Sequence, residues 1–286
     1  MSEPNYPVAA AVVLYNPTDD VFENINSYHQ QVEFLYIIDN SDRYNAGLIK
    51  RLEGLGRVKY VNNLGNRGVA AALNVGAKMG IADGYAFLLT MDQDTLLPPD
   101  FVIALFSKVK SDQLDKTGII APRFSGKVAE NTDAQNILFT MTSATLLNLE
   151  IYSKVGPFLD DLFIDHVDHE YALRLNDRGY SVIQINALKV LHRPGNLVQF
   201  SFFGKTHHLS SHSPDRLYYF IRNGFFVSKL YQKKFPVFRK LFLRLVAKEV
   251  LKILVDKDKL LRVRMIFKGI KDYKYKKLGP LHRKLK

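Results

Sequence analysis

The stretch "AFLLTMDQDTLLPPDFV", residues 86–102, stays apolar for the length of one strand and then ends on two carboxylates, Asp92 and Asp94, either side of Gln93. A short apolar run closed by a turn signal is the pattern of a strand buried on both faces, as in a parallel sheet. Three earlier runs share it. "VAAAVVLY" (8–15) breaks at Asn16-Pro17, "EFLYIIDNS" (33–41) ends in polar residues, and "VKYVNN" (58–63) ends in paired asparagines. Helical spacing fills the gaps, in "VFENINSYHQQ" (21–31), "AGLIKRLEGLG" (46–56) and the small-residue run "GVAAALNVGAKMGI" (68–81). Strands alternating with helices make βαβ units, so the expected fold is α/β, a Rossmann-like, mostly parallel sheet with flanking helices.

In such sheets ligands bind beyond the carboxyl ends of the strands. Asn16, Asp39-Asn40-Ser41, Asn62-Asn63 and Asp92-Gln93-Asp94 all fall at those ends. A lone D-x-D reads most simply as a solvated turn before Pro98-Pro99. Beside three other polar strand ends it reads differently, because close like charges need a proton or a cation. A hard divalent cation, Mg²⁺ or Mn²⁺, takes oxygen ligands and often bridges one or two carboxylates to a diphosphate.

The later chain is less regular. "PPDFVIALFSKVK" (98–110) reads as a helix, "TGIIAPRF" (117–124) and "NILFTMTSATLLN" (136–148) as strands, "DHVDHEYALRLNDRGY" (165–180) as a helix and "SVIQINALKVLH" (181–192) as a strand. Hydrophobic residues are 47% of the 286 and there is no cysteine, which allows a large core and excludes disulfides and thiolate metal sites. The N-terminal apolar run follows Glu3 with no basic residue before it, so it reads as a first strand and not as a signal peptide. The first strand is followed by "YNPTDD" and not by G-x-G-x-x-G, which argues against a dinucleotide-dependent oxidoreductase.

"VVLYNP", "IIDNS", "NLGNRGVAAALNVG", "LLTMDQDT" and "FIDHVDHEYALRL" occur in the order seen in family-2 glycosyltransferases of GT-A fold. The chain resembles that family over about residues 8–225. The "DQD" form and the "FID-x-VD-x-E" block most resemble bacterial rhamnosyltransferases, which use dTDP-L-rhamnose to build surface polysaccharides. The resemblance implies an inverting, metal-dependent transferase. Tyr15 and Asn16 would border the base pocket, with Asp39 and Asn40 on the nucleotide. Asn66, Arg67 and Gly68 would let the backbone approach the donor at a helix N-terminus, a natural anion site. Asp92 and Gln93 would contact the sugar nucleotide and Asp94 the metal, with Asp92 beside it and His192 a further ligand or merely a polar strand exit.

Inversion needs one base to take the proton of the attacking hydroxyl, and the resemblance puts that base at Asp168. Asp165 could face the acceptor or serve as an N-cap, and Glu170 could face the acceptor or pair with Arg174. A segment like "SPDRLYYFIRN" (213–223) lies over the family's active site, so Arg216 and Arg222 could meet diphosphate, and Tyr219 and Asn223 the acceptor; a basic aromatic helix packed on the core is the alternative. His207, His208 and His212 match no zinc pattern. The donor could instead be a UDP-hexose such as UDP-galactose or UDP-glucose.

Charge divides the chain. From residue 201 on there are 23 Lys and Arg against 5 Asp and Glu, while the rest is mildly acidic. Lys240, Arg244, Lys248 and Lys252 share one helical stripe, with Phe238, Phe242, Leu245, Val246 and Ile253 opposite. A basic amphipathic helix suits an anionic membrane surface, and a helical subdomain packed on the body is the alternative. Nucleic acid would use the same charges, but no base-reading motif accompanies them. The expectation is a GT-A domain over 1–225, with a nucleotide-sugar half (1–95) and an acceptor half (96–225). A basic amphipathic tail (226–286) would then hold the enzyme peripherally on the cytoplasmic face of the plasma membrane, near a lipid-linked saccharide. A chain ending near residue 228 that stays soluble and hydrolyses donor but no longer sediments with anionic vesicles would support the membrane reading of the tail.

Overall fold

The computed structural model describes residues 6–124, 132–190, 197–202, 205–210, 213–254, 256 and 258–281, with the side chains of 197–202 and 205–210 left out. The first half follows the expected alternation: β1 (Val8–Leu14), α1 (Val21–His29), β2 (Phe34–Asp39), α2 (Ala46–Glu53), β3 (Val58–Asn62), α3 (Val69–Ala82) and β4 (Phe87–Asp92). Then come α4 (Phe101–Ser107), α5 (Ser111–Leu114), β5 (Thr117–Arg123), β6 (Ala134–Asn136), β7 (Thr145–Asn148), α6 (Leu149–Val155), α7 (Val167–Asp177) and β8 (Ser181–Lys189). A hairpin of β9 (Leu197–Phe202) and β10 (Lys205–Ser210) precedes α8 (Pro214–Tyr231), α9 (Pro236–Ile253) and α10 (Lys259–Lys274).

One eight-stranded sheet carries the order β3-β2-β1-β4-β7-β5-β8-β6. β1 pairs in parallel with both β2 and β4, so the winding reverses beside β1 and opens a crevice past the tips of β1 and β4. Antiparallel β7 sits between β4 and β5. Small side chains on β1 let helices close over both faces. Ala9, Ala11 and Val13 share one core cluster with residues of α3, α6, α7 and α8, while Val8, Ala10, Val12 and Leu14 share another with residues of α1, α2 and α4.

The reading of 136–148 as one strand needs correction. β6 and β7 lie in different places in the sheet, and residues 137–144 run irregularly between them. The Ile137 amide still donates to the Val182 carbonyl of β8, and side chains satisfy several carbonyls of the segment. Asn176 Nδ2 donates to the Ile137 and Leu138 carbonyls, and the hydroxyls of Thr90 and Thr145 donate to the Thr142 carbonyl. Buried apolar groups along such a loop mimic strand composition.

The tail is the larger correction. α8 runs straight through the expected boundary at 225/226, and α9 and α10 pack against it. Phe238 and Phe242 lie in the same core cluster as Ala9 and Leu88, with Leu245 and Val246 packed on it. A Cβ at Gly224 would overlap the Phe242 ring, so α8 and α9 approach closely only because residue 224 is glycine. The apolar stripe expected to face lipid covers protein.

Candidate functional site

The tips of β1, β2, β3 and β4 come together as the pattern implied. Leu14 is in register with Asp39, Asp39 with Asn62, and Val13 with Asp92. Across the switch point, Gln93 Oε1 accepts from the Tyr15 amide at 2.7 Å and Gln93 Nε2 donates to the Tyr15 carbonyl at 3.3 Å. Tyr15 is exposed, and its hydroxyl donates to Asp42 Oδ2 at 3.1 Å. The Asn16 amide donates to the Ser41 hydroxyl, and Asn16 Oδ1 accepts from the Asp42 amide. Asp39 is buried, its Oδ1 accepting from the Ser41 amide (2.8 Å) and its Oδ2 from Tyr60 (2.7 Å). Buried Asn40 donates to the Gly68 carbonyl and accepts from Asn63, which ties β2 and β3 to the start of α3.

The turn into α3 is built for a close approach, but to the chain itself. Asn66 Oδ1 accepts from the Gly68 amide, and Arg67 Nε donates to the Asn63 carbonyl. Gly68 has φ +87°, and a Cβ there would lie 2.6 Å from the Phe163 carbonyl oxygen. That carbonyl accepts from the Val69 amide at 2.7 Å. The glycine expected to admit a donor therefore docks the 161–168 loop on the first turn of α3, and exposed Asn66 and Arg67 are left facing the crevice. Gly68→Ala meets both a left-handed backbone and backbone atoms. It should lower stability by about 1–3 kcal/mol and cut transfer with it, measured as denaturation midpoint and initial rate.

Asp92 and Asp94 occupy the tip of β4. The Asp92 amide donates to the Ser143 hydroxyl at 3.1 Å, and Ser143 in turn contacts the Thr95 hydroxyl at 2.7 Å. Asp92 is half-buried and Asp94 exposed. Among the described residues no three His, Asp or Glu side chains gather as a metal site, and His192 lies outside those residues. The arrangement still fits a hard cation of the Mg²⁺ kind, which keeps several waters and takes one or two carboxylates plus substrate phosphate.

Opposite stands the 161–168 loop. Phe163, Asp165 and His166 all have left-handed φ between 63° and 65°, which L-residues adopt only where the surroundings hold them. Asn223 supplies much of that hold, its Nδ2 donating to the carbonyls of Leu162, Ile164 and Asp165. Arg222 donates to the carbonyls of Asp161, Leu162 and Gly279. Tyr219 stacks on Phe163, and its hydroxyl accepts from the Leu281 amide.

These positions correct the sequence reading. Arg222, expected on the donor, is 0% exposed, and Asn223, expected on the acceptor, is equally enclosed. Tyr219 is buried too. All three clamp the loop and touch no open surface. Glu170 is also interior, held by both Nε and Nη2 of Arg174 and by the Tyr231 hydroxyl. Asp165 is neither N-cap nor free for an acceptor. His166 holds the cap position, and Asp165 takes a two-pronged contact from Arg216 at 2.9 and 2.5 Å.

Asp168 lies in the first turn of α7. Its Oδ1 accepts from the His169 amide at 2.8 Å and lies 3.0 Å from His169 Nδ1. Burial works to raise its pKa, but the charge and bonds of His169, backed by His166, outweigh that and hold the carboxyl below its usual value. The pairing raises His169 despite its burial. His166, packed among Phe220, Phe238 and Phe242, is pushed down to about 4 by desolvation and by His169. The sequence reading passed over His169. The signal was the doubled Asp-His in "DHVDH", three residues apart and hence on one helix face.

Arg216 links the two halves. Burial lowers its pKa, yet Asp165, Asp92 and Asp168 together raise it, so carboxylates from the β4 tip and from α7 act on one guanidinium. A crevice with a carboxylate pair at one rim, a depressed carboxylate at the other and an arginine between them can hold an anionic leaving group and accept a proton opposite it.

Known proteins are similar to this chain in sequence and fold. Residues 10–174 match Glycosyl transferase family 2. The chain is 26% identical over 243 residues to the dTDP-rhamnosyl transferase RfbF of Shigella flexneri, covering 77% of this chain and 79% of that one. Its fold is similar to crystal structures of S. aureus TarS. One has TM-score 0.55 at 12% identity, over 79% of this chain and 40% of that chain. The other, of TarS residues 1–349, has TM-score 0.51 at 11% identity, over 94% and 72%. The match to the family spans the β1–β4 tips and α7 alike, and the chain belongs to glycosyltransferase family 2.

Proposed function

We propose that the protein is an inverting rhamnosyltransferase moving L-rhamnose from dTDP-L-rhamnose to a growing saccharide on a lipid-diphosphate carrier, in the making of a bacterial surface polysaccharide at the cytoplasmic face of the membrane. The observation that carries the reaction type is the position of Asp92 at the tip of β4 and Asp168 in the first turn of α7, both close enough to act on Arg216, which Asp165 holds at 2.9 and 2.5 Å. It supports a diphosphate and an acceptor hydroxyl meeting in one crevice. The donor rests on the likeness to the dTDP-rhamnosyl transferase.

In this reading the nucleotide lies over the tips of β1 to β3, between Tyr15 and Asn66. Asp94 and Asp92 hold a divalent cation, which when bound offsets charge on the leaving diphosphate. Arg216 lends a second positive charge from the other side. Asp168 takes the proton of the acceptor hydroxyl on Oδ2, since its recorded partners sit at Oδ1. The clamp of Arg222 and Asn223 keeps that carboxylate in place.

Asp94→Ala, or EDTA on the wild type, should weaken donor binding by at least about tenfold (~1.4 kcal/mol), read by titration with and without Mn²⁺. Unchanged binding in both would remove the cation from this account. Thermal-shift and hydrolysis screens across nucleotide sugars test the donor. A response to a UDP-hexose with none to dTDP-L-rhamnose would transfer the mechanism to that sugar.

A further inference from the structure

With the expected stripe of α9 turned onto protein, another set of apolar side chains stays outside. On α9 these are Leu243, Val250, Leu251 and Leu254, and on α10 Leu260, Val263 and Phe267. Leu260 is 88% exposed, Leu254 69% and Phe267 67%. They recur at helical spacing on one side of each helix, with Leu254 just past the end of α9 and Leu260 in the first turn of α10. Single exposed apolar residues are ordinary, whereas a continuous set marks a surface that meets something apolar.

The charges around this set have one sign. Lys240, Arg244 and Lys248 on α9, and Lys259, Arg264, Lys271 and Lys274 on α10, are exposed. The acids of the same region mostly point inward. Glu249 pairs with Lys252, Asp256 with Arg262 and Asp272 with Lys268, and each of these carboxylates is largely buried. Only Asp258 is an exposed acid between 236 and 274 among the described residues. Apolar knobs set in a basic field match the interface of an anionic bilayer, where leucine and phenylalanine enter the acyl boundary and lysine and arginine meet headgroups. Nucleic acid would complement the charges but not the leucines. Among the described residues no helix is long and apolar enough to cross a membrane, so contact through these helices is lateral.

We propose that the outer faces of α9 and α10, with Leu254 and Leu260 at their adjoining ends, seat the protein on an anionic leaflet. The proposal rests on the transferase reading for its purpose, a lipid-linked acceptor, though its physics does not depend on the sugar. The test is sedimentation of the full chain with phosphatidylglycerol–phosphatidylcholine vesicles and with phosphatidylcholine alone. Wild type should pellet with the anionic vesicles only. The double variant Leu260→Glu, Phe267→Glu should partition at least about tenfold less, with its circular dichroism and melting unchanged, since both side chains already face water. Arg264→Gln with Lys271→Gln should weaken binding and reduce its dependence on salt.

Wild type left in the supernatant would overturn the proposal, and so would a double variant that pellets as wild type does. Sedimentation velocity covers a second copy as occupant: a dimer that the double variant dissociates, with vesicle binding intact, also overturns it. So does RNA binding tighter than vesicle binding and indifferent to the two glutamates. Donor turnover measured on the same samples keeps the two readings apart. Vesicle binding without turnover of any nucleotide sugar supports the surface and defeats the transferase assignment.

Discussion

Asp168→Asn is expected to slow transfer by about 10²–10⁴-fold while leaving donor affinity nearly unchanged. The substitution is close to isosteric, and the asparagine oxygen can still accept the His169 amide bond that the carboxylate accepts at 2.8 Å. What it cannot do is take a proton from an acceptor hydroxyl. Single-turnover rates and donor titration on the same samples separate the two effects. More than about a tenth of the wild-type rate would remove Asp168 as base, because general-base help is rarely so small. The His169 contact adds a pH signature. Asp168 is held below the usual carboxylate value, so it stays ionised down through mildly acid pH. The acid limb of the rate profile should therefore fall below that value, and it should move upward when His169→Gln removes the positive neighbour.

The second large effect concerns the tail. A chain ending at residue 228 loses Phe238 and Phe242 from the core and the Gly279 and Leu281 contacts from Arg222 and Tyr219. The carbonyl of Asp161 also loses its bond from the Gly279 amide. The 161–168 loop, with its three left-handed residues, would be left without its outer support. Such a chain should fail to fold cooperatively and should show no donor hydrolysis. Phe242→Ala gives the graded version. It opens a cavity against Gly224 and His166 and should cost about 3–5 kcal/mol. At about 2–4 °C per kcal/mol for a chain of this size, its melting midpoint should drop by some 6–20 °C. A truncated chain that melts sharply and hydrolyses donor would show that α9 and α10 are dispensable to the site.

The two predictions mark how far the sequence could be read. The β1–β4 strands were legible because each is a short apolar run closed by polar residues, and local pattern alone decides that. Their convergence at one edge followed from the right-handed crossovers that parallel strands require. Asp92, Asp94 and Asp168 were picked out by motif, and the structure puts the first two at the tip of β4 and the third in the first turn of α7. Arg222 and Asn223 were misjudged because a polar side chain looks the same in sequence whether it faces a ligand or closes a buried hydrogen-bond set, and of the two readings of Glu170 the pair with Arg174 is the one that holds. Only burial and the count of waiting carbonyls tell these apart.

From the sequence alone came an α/β sheet, a polar edge at the strand tips, a family and a basic tail. The tertiary structure decided which apolar phase of α9 meets protein and which meets solvent. A helical stripe specifies that something apolar must cover it, but its covering partner is named only by distant residues such as Gly224, whose missing side chain makes room for Phe242.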